Sequence, residues 1–165
     1  MNIRDAKVGD LSAITDIYNQ DIETRTIEWT ERRHSIEERK IWLEANRDAG
    51  WPVLVADLEG EVVGVGTYGD FRDSTTREGY RFTVEHSVHV TESAQGQGVG
   101  RALVLALIDR ARSAGLHAMI GAIDSENPES VAFHEQLGFV EVGRLPEIGS
   151  KFGRWLDLVL VQKLL

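Results

Sequence analysis

The chain has 165 residues, 42% hydrophobic and 27% charged, with 18 basic against 27 acidic residues and a net charge of −9. That length suffices for one domain, 1–165, with a buried core, and the acidic balance, with no local basic patch, argues against nucleic acid or an anionic membrane as partner. The absence of cysteine excludes a thiol nucleophile, a disulfide framework and thiolate metal ligands, and fits a cytoplasmic protein.

No apolar run approaches the ~20 residues of a membrane span, and charge interrupts the first five residues before any signal-like stretch. Residues 2–6 read as a short strand. Asp10 is the expected N-cap of a helix over 10–24, with Leu11, Ile14, Ile17 and Tyr18 at helical spacing. A second helix is expected over 35–49, with Ile36, Ile41 and Leu43 as its apolar positions. Segments 53–58 and 61–68 flank Glu59-Gly60 and read as a hairpin. A polar loop, 70–79, leads to a strand over 82–90 and then to Gln95-Gly96-Gln97-Gly98-Val99-Gly100-Arg101, which opens a helix over 99–114. A strand over 117–123 follows, then a short helix over 128–137, with Pro128 in its first turn and Gly138 just past its end. Strand-like segments 139–147 and 154–163 flank Gly149-Ser150-Lys151-Phe152-Gly153. The order β-α-α-β-β-β-α-β-α-β-β predicts an α/β mixture around one sheet.

The glycine-rich run carries the strongest chemical signal. Glycines at 96, 98 and 100 let the backbone turn tightly and leave successive N–H groups uncovered. At a helix start those unpaired donors coincide with the positive end of the dipole, a corner suited to a phosphate or pyrophosphate. A P-loop is excluded, because no Lys-Ser or Lys-Thr follows; Gly-x-Gly-x-x-Gly fails, because its third glycine falls on Arg101 or Leu103. A glycine-rich turn without a ligand is the plain alternative. The spacing Gln-x-x-Gly-x-Gly, on Gln95, Gly98 and Gly100, resembles the acyl-CoA pyrophosphate loop of the GCN5-related N-acetyltransferase (GNAT) family. The likeness extends along the chain and sharpens in three blocks: 84–90, 124–139 with Asp124-Ser125-Glu126-Asn127-Pro128, and 151–157. With Tyr18-Asn19 and the stretch 26–29, these resemble the branch containing phosphinothricin and methionine sulfoximine or sulfone N-acetyltransferases.

The resemblance implies a mixed, mostly antiparallel sheet whose two central strands splay apart, with flanking helices. It implies acetyl-CoA as cosubstrate and no metal. Its pantetheine arm would meet the main chain of Val88, His89 and Val90, and its pyrophosphate the loop Gly96, Gln97, Gly98, Val99, Gly100 and Arg101. Asn127 would meet the pantetheine arm, or could serve only as a helix cap. The family's usual tyrosine near the sulfur is His134 here, either a neighbour of coenzyme A or a residue of the helix surface. Valines at 88 and 90 are equally compatible with core packing.

Acetyl transfer to an amine requires removal of the ammonium proton. Glu85 is the candidate base: between Val84 and valines 88 and 90, an apolar setting would raise its pKa. An ion pair with Arg72 or Arg81 would do the opposite. For an amino-acid acceptor the α-carboxylate needs a fork-shaped cation, for which Arg72 and Arg81 are candidates, with Phe71 or Trp29 along the methyl-bearing side. Lys151, Arg154 and Trp155 would shape the acceptor wall or a subunit contact, with Trp155 taken alone expected in the core, and the resemblance implies a homodimer. His86 and His89, an odd number apart on a strand, point to opposite faces and do not share a metal. The reading is direct transfer to the α-amine of methionine sulfoximine, methionine sulfone or phosphinothricin. Transfer to another amino acid, a polyamine or a protein N-terminus, and acyl-CoA binding without turnover, are the rivals.

Overall fold

Alternation along the strands and helical spacing between them produce eleven elements in a computed structural model that describes residues 1–165. These are β1 (Asn2–Asp5), α1 (Leu11–Thr24), α2 (Ile36–Asp48), β2 (Val53–Leu58), β3 (Glu61–Asp70), β4 (Thr83–Val90), α3 (Val99–Ser113), β5 (Ala118–Asp124), α4 (Pro128–Gln136), β6 (Val140–Lys151) and β7 (Arg154–Leu164). The strands form one sheet in the order β1-β2-β3-β4-β5-β7-β6. Every neighbouring pair is antiparallel except β4 with β5, whose connection through α3 makes them parallel. No helix is long and apolar enough to cross a membrane.

Two hydrophobic clusters cover the two faces. Leu103, Val104, Leu107 and Ile108 of α3 pack with Val84, Met119 and Val161 on one side. Ile14, Ile17 and Tyr18 of α1 pack with Leu43, Val55 and Val65 on the other. Alternation sends Val84, Val88 and Val90 to the α3 side, so these valines do not surround Glu85, which points the other way.

Three expectations are corrected. Asp10 does not cap α1; it closes a preceding 3-10 turn, and its carboxylate accepts from the Lys7 amide (2.7 Å) and the Arg4 guanidinium (2.7 and 2.9 Å). In α2, Ile36 and Ile41 are exposed, and only Leu43 of the expected three is buried. Arg39 is buried in their place, its guanidinium 3.7 Å from the centre of the Tyr18 ring. An arginine can bury its stem and stack its planar head on an aromatic face, so a polar letter occupies a core-facing position. Finally, β6 runs on through 149–151, which pair with 154–156. Phe152 and Gly153, with φ of 53° and 73°, form the tight turn, and a register shift between Leu145 and Gly149 absorbs the interruption at Pro146.

The β4–β5 ladder positions the site. It pairs Thr83 with Ala118, Val84 with Met119, Glu85 with Ile120 and His86 with Gly121, and there it stops. β4 nevertheless continues to Val90 along β3, and β5 to Asp124 along β7. Beyond His86 the two strands part, as the resemblance implied. The Phe82 carbonyl accepts from His117 and Ala118 on the β5 side, whereas the Thr91 amide donates to Val63 on the β3 side. Strand alternation therefore turns the main-chain groups of Val88 and Val90 into the gap and those of His89 towards β3.

Candidate active site

The gap opens into a cleft of about 1020 Å³. Its walls are residues 24–29 at and beyond the end of α1, residues 85–90 of β4, the start of the glycine loop, the end of β5, one face of α4, and Phe152, Arg154 and Leu158 of the last hairpin.

At one end stands the glycine loop. Gly96 and Gly98 have φ of 73° and 80°, which any side chain would strain, while α3 begins at Val99. The amides of residues 96–101 donate to no carbonyl or side chain of the protein; the first bond of the turn runs from Ala102 to the Gly98 carbonyl. Unpaired amides at the start of a 15-residue helix make a cradle that fits a pyrophosphate. The Gln97 side chain is tied to the Ser93 carbonyl (2.8 Å), and the Gln95 amide lies between the Val90 carbonyl and the Arg25 guanidinium. Arg101 is exposed and outside the cleft lining.

Glu85 lies at the floor, half-buried, where β4 and β5 are about to part. It makes no hydrogen bond and no ion pair; burial alone raises its pKa above the usual carboxylate range. Arg72 and Arg81 do not approach it. Arg72 stacks on Phe71 and Tyr80, 5.6 and 5.5 Å from the ring centres. Arg81 lies 4.5 Å over Phe82 and donates to the Glu78 carbonyl. Phe71 lines a separate hollow of about 280 Å³ with Tyr80, Ala118 and Ile120, which adjoins the cleft because Ile120 is the register partner of Glu85. Of the candidate substrate residues only Trp29 lines the cleft itself. The cationic side chains that do so are Arg25, paired with Asp21 (3.2 Å), and Arg154, paired with Glu126 (2.5 Å).

Trp29 donates from Nε1 to the Thr26 carbonyl (2.8 Å), and its ring lies against Gly149 so closely that any Cβ there would overlap it. Gly149→Ala therefore displaces the ring and breaks the Thr26 bond, at a cost of about 1–3 kcal/mol. The urea midpoint should fall accordingly, and an unchanged midpoint would show that the wall yields freely.

Asn127 caps α4, its Oδ1 accepting from the Ser130 amide (3.1 Å), and its side-chain NH2 donates to no group of the chain. Capping and contact with a ligand are thus compatible. His134 is buried in the cleft lining, not on the helix surface. Its Nδ1 is 2.6 Å from the Ser130 carbonyl, which can only accept, so Nδ1 carries the hydrogen and Nε2 is bare and unpartnered. Burial lowers its pKa against the pull of Ser130. At neutral pH this imidazole is a proton acceptor, not an acid. His86 and His89 do point to opposite faces: His86 packs on His134 and Phe139, and His89 under Tyr18. Sequence reasoning assigned Glu28, Arg25 and Asp124 no role in the cleft, although Glu28 lies in the stretch 26–29 and Asp124 opens the block 124–139; only Arg25 falls outside every motif.

With that geometry in place, comparison with known proteins is decisive for the family. Residues 14–139 match the model of the acetyltransferase (GNAT) family. An L-methionine sulfoximine/L-methionine sulfone acetyltransferase of Pseudomonas paraeruginosa is 47% identical over 98% of this chain and 92% of its own. The crystal structure of a ribosomal-protein-alanine N-acetyltransferase from Brucella melitensis superposes with a TM-score of 0.97, at 44% identity and full coverage of both chains. A GNAT superfamily phosphinothricin acetyltransferase from Sinorhizobium meliloti, in complex with acetyl-CoA, gives 0.94 at 35% identity, over 99% of this chain and 88% of that one.

Proposed function

The chain belongs to the GNAT family of acetyltransferases, and from that premise we propose that it moves acetyl from acetyl-CoA to the α-amine of a small amino acid, with methionine sulfoximine, methionine sulfone and phosphinothricin as acceptors. The observation that carries the reading is the coincidence, in one cleft, of the opened β4 edge, the unpartnered amides of 96–101 and the unpaired, half-buried Glu85. The acceptor class follows the relatives that are methionine sulfoximine/sulfone acetyltransferases and phosphinothricin acetyltransferases.

Acetyl-CoA supplies a thioester carbonyl to the gap. The main chain of Val88 and Val90 orients its pantetheine arm, the amides of the glycine loop hold its pyrophosphate, and the Asn127 amide reaches the same arm. Glu85 takes one proton from the acceptor's ammonium, breaking N–H and forming O–H, and leaves a lone pair on nitrogen. The new C–N bond then replaces the C–S bond, and the second amine proton neutralises the departing thiolate. The α-carboxylate falls to Arg154, the exposed guanidinium of the cleft, rather than to Arg72 or Arg81 of the same chain. Arg154→Gln should raise the acceptor KM by roughly tenfold, the worth of a charge-assisted pair, and leave the KM for acetyl-CoA unchanged. Equal KM values for the acceptor would remove Arg154 from the site.

The same reading treats residues 1–165 as one catalytic domain in the cytoplasm, a compartment that a chain without cysteine suits. It pairs the chain as a homodimer, for which Ile148, Phe152 and Trp155, the last exposed on the hairpin and not in the core as its apolar ring suggested, offer apolar surface. The name of the Brucella structure favours a second acceptor class, a protein N-terminus. Thiol release from acetyl-CoA, measured with the three amino acids, ordinary amino acids, spermidine and a peptide beginning with alanine, decides between them. Turnover with the first three is expected. Turnover with the peptide alone would replace the amino-acid reading.

A further inference from the structure

The wall of residues 24–29 is fixed from two sides. His89 is fully buried on the α1 side of β4, its ring 4.2 Å from that of Tyr18 between centroids. Its Nδ1 lies 2.8 Å from Asp21 Oδ2, and its Nε2 lies 3.2 Å from Glu28 Oε1. A carboxylate oxygen only accepts, so the ring donates from Nδ1 to Asp21, and in the charged form that the two carboxylates favour against burial it also turns an N–H, at Nε2, towards Glu28. From the last hairpin, the buried Lys151 ammonium donates to the main-chain carbonyls of Asp21 (3.4 Å), Arg25 and Glu28 (2.6 Å). Glu28 thus has its backbone held by Lys151 and one side-chain oxygen turned to His89, while the side chain, 33% exposed, opens into the cleft.

We propose that the Glu28 carboxylate docks the ammonium group of the acceptor, and that His89, oriented by Asp21, is the residue that positions it. The proposal rests on the amino-acid reading above. It follows from two carboxylates that line one cleft in opposite settings. Glu85 has no partner, and burial favours its protonated form. Burial works the same way on Glu28, but the contact with His89, its charge, and the charges of Arg39 and His34 outweigh it and hold the group ionised. A fixed anion is a good ion-pair partner and a poor proton acceptor; an unpaired carboxylate is the reverse. The ammonium has three hydrogens, enough to meet Glu28 while presenting another to Glu85.

The test is steady-state kinetics on Glu28→Gln with methionine sulfone, beside inhibition by the 2-hydroxy analogue that carries a hydroxyl in place of the ammonium. The acceptor KM should rise roughly 10- to 100-fold, the KM for acetyl-CoA should stay put, and the hydroxy analogue should inhibit both proteins equally. His89→Gln should show the same split, and should add nothing further in the Glu28→Gln background. An unchanged acceptor KM, or equal weakening of amine and hydroxy analogue, overturns the docking role. Full additivity of the two substitutions overturns the positioning role. A wild-type protein that binds acetyl-CoA yet acetylates no amino acid overturns the acceptor reading and, with it, this assignment.

Discussion

Glu85→Gln should lower turnover at neutral pH by roughly 10²-fold or more, the usual contribution of a positioned general base. Glutamine keeps the shape and removes only the capacity to accept a proton. Because Glu85 has neither an ion-pair nor a hydrogen-bond partner to lose, the substitution leaves no buried charge unpaired, and stability should change little. The pH profile supplies a second check. A base works when ionised, and burial has raised this carboxyl above its ordinary value of 4.5. The kcat/KM of the wild-type protein should therefore climb with pH through that raised value, and the variant should lose this limb. Turnover within a few-fold of wild type, with the limb intact, would remove Glu85 as the base.

Acid should destabilise this protein steeply, and His86 should be a principal cause. The ring is buried between His134 and Phe139, 5.1 and 5.4 Å away between centroids, and neither nitrogen has a partner. Burial, reinforced by the charge of a protonated His134, pushes its pKa from 6.5 down to about 3. The unfolded chain binds a proton below about 6.5 and the folded chain does not, so stability is complete above that pH and is lost as pH falls towards 3. One proton changes stability by about 1.4 kcal/mol per pH unit, or roughly 4–5 kcal/mol across the window. His134 and His34, whose pKa values burial also lowers, act in the same direction. His89 acts in the opposite one, because its carboxylate partners outweigh burial and raise its pKa. Its contribution is complete below 6.5 and fades as pH rises through the raised value. Comparing urea midpoints at pH 7.5 and 4.5 isolates His86: in His86→Phe the decline should be smaller by about 2–3 kcal/mol. Equal declines in the two proteins would mean that His86 stays neutral in both states.

Much of this protein is local, and that part was open to reading from sequence. The glycines at 96, 98 and 100 act through their own backbone, so spacing alone marked both the turn and the helix start at Val99. Strands and helices came out near their ends, because period-two and helical spacing are properties of neighbours. Ser35 and Glu38 form a capping box within four residues, and Asn127 caps the helix that Pro128 begins. Glu85 stood out as the carboxylate of the central strand, although the apolar setting expected of the adjacent valines belongs to the opposite face.

The tertiary structure decided whatever depends on residues far apart in the chain. Where β4 leaves β5 follows from strand lengths and partners, since β3 and β7 hold the two strands past the point where they part. Arg39 reaches the core only because Tyr18 of another helix offers its ring face. The cations of the cleft are Arg25 and Arg154, not the nearby pair Arg72 and Arg81, because the last hairpin folds back over the wall that follows α1. Asp21 and His89 are 68 positions apart, and Lys151 meets Glu28 across 123. Sequence by itself determined the local elements and the glycine-rich turn before α3, because a backbone turn and a periodic pattern need only their neighbours, and its motifs carried the resemblance to the family whose model the chain matches. Which charged groups share the cleft depended on chain crossings that no local spacing encodes, since ion pairs form wherever topology brings charges within a few ångströms.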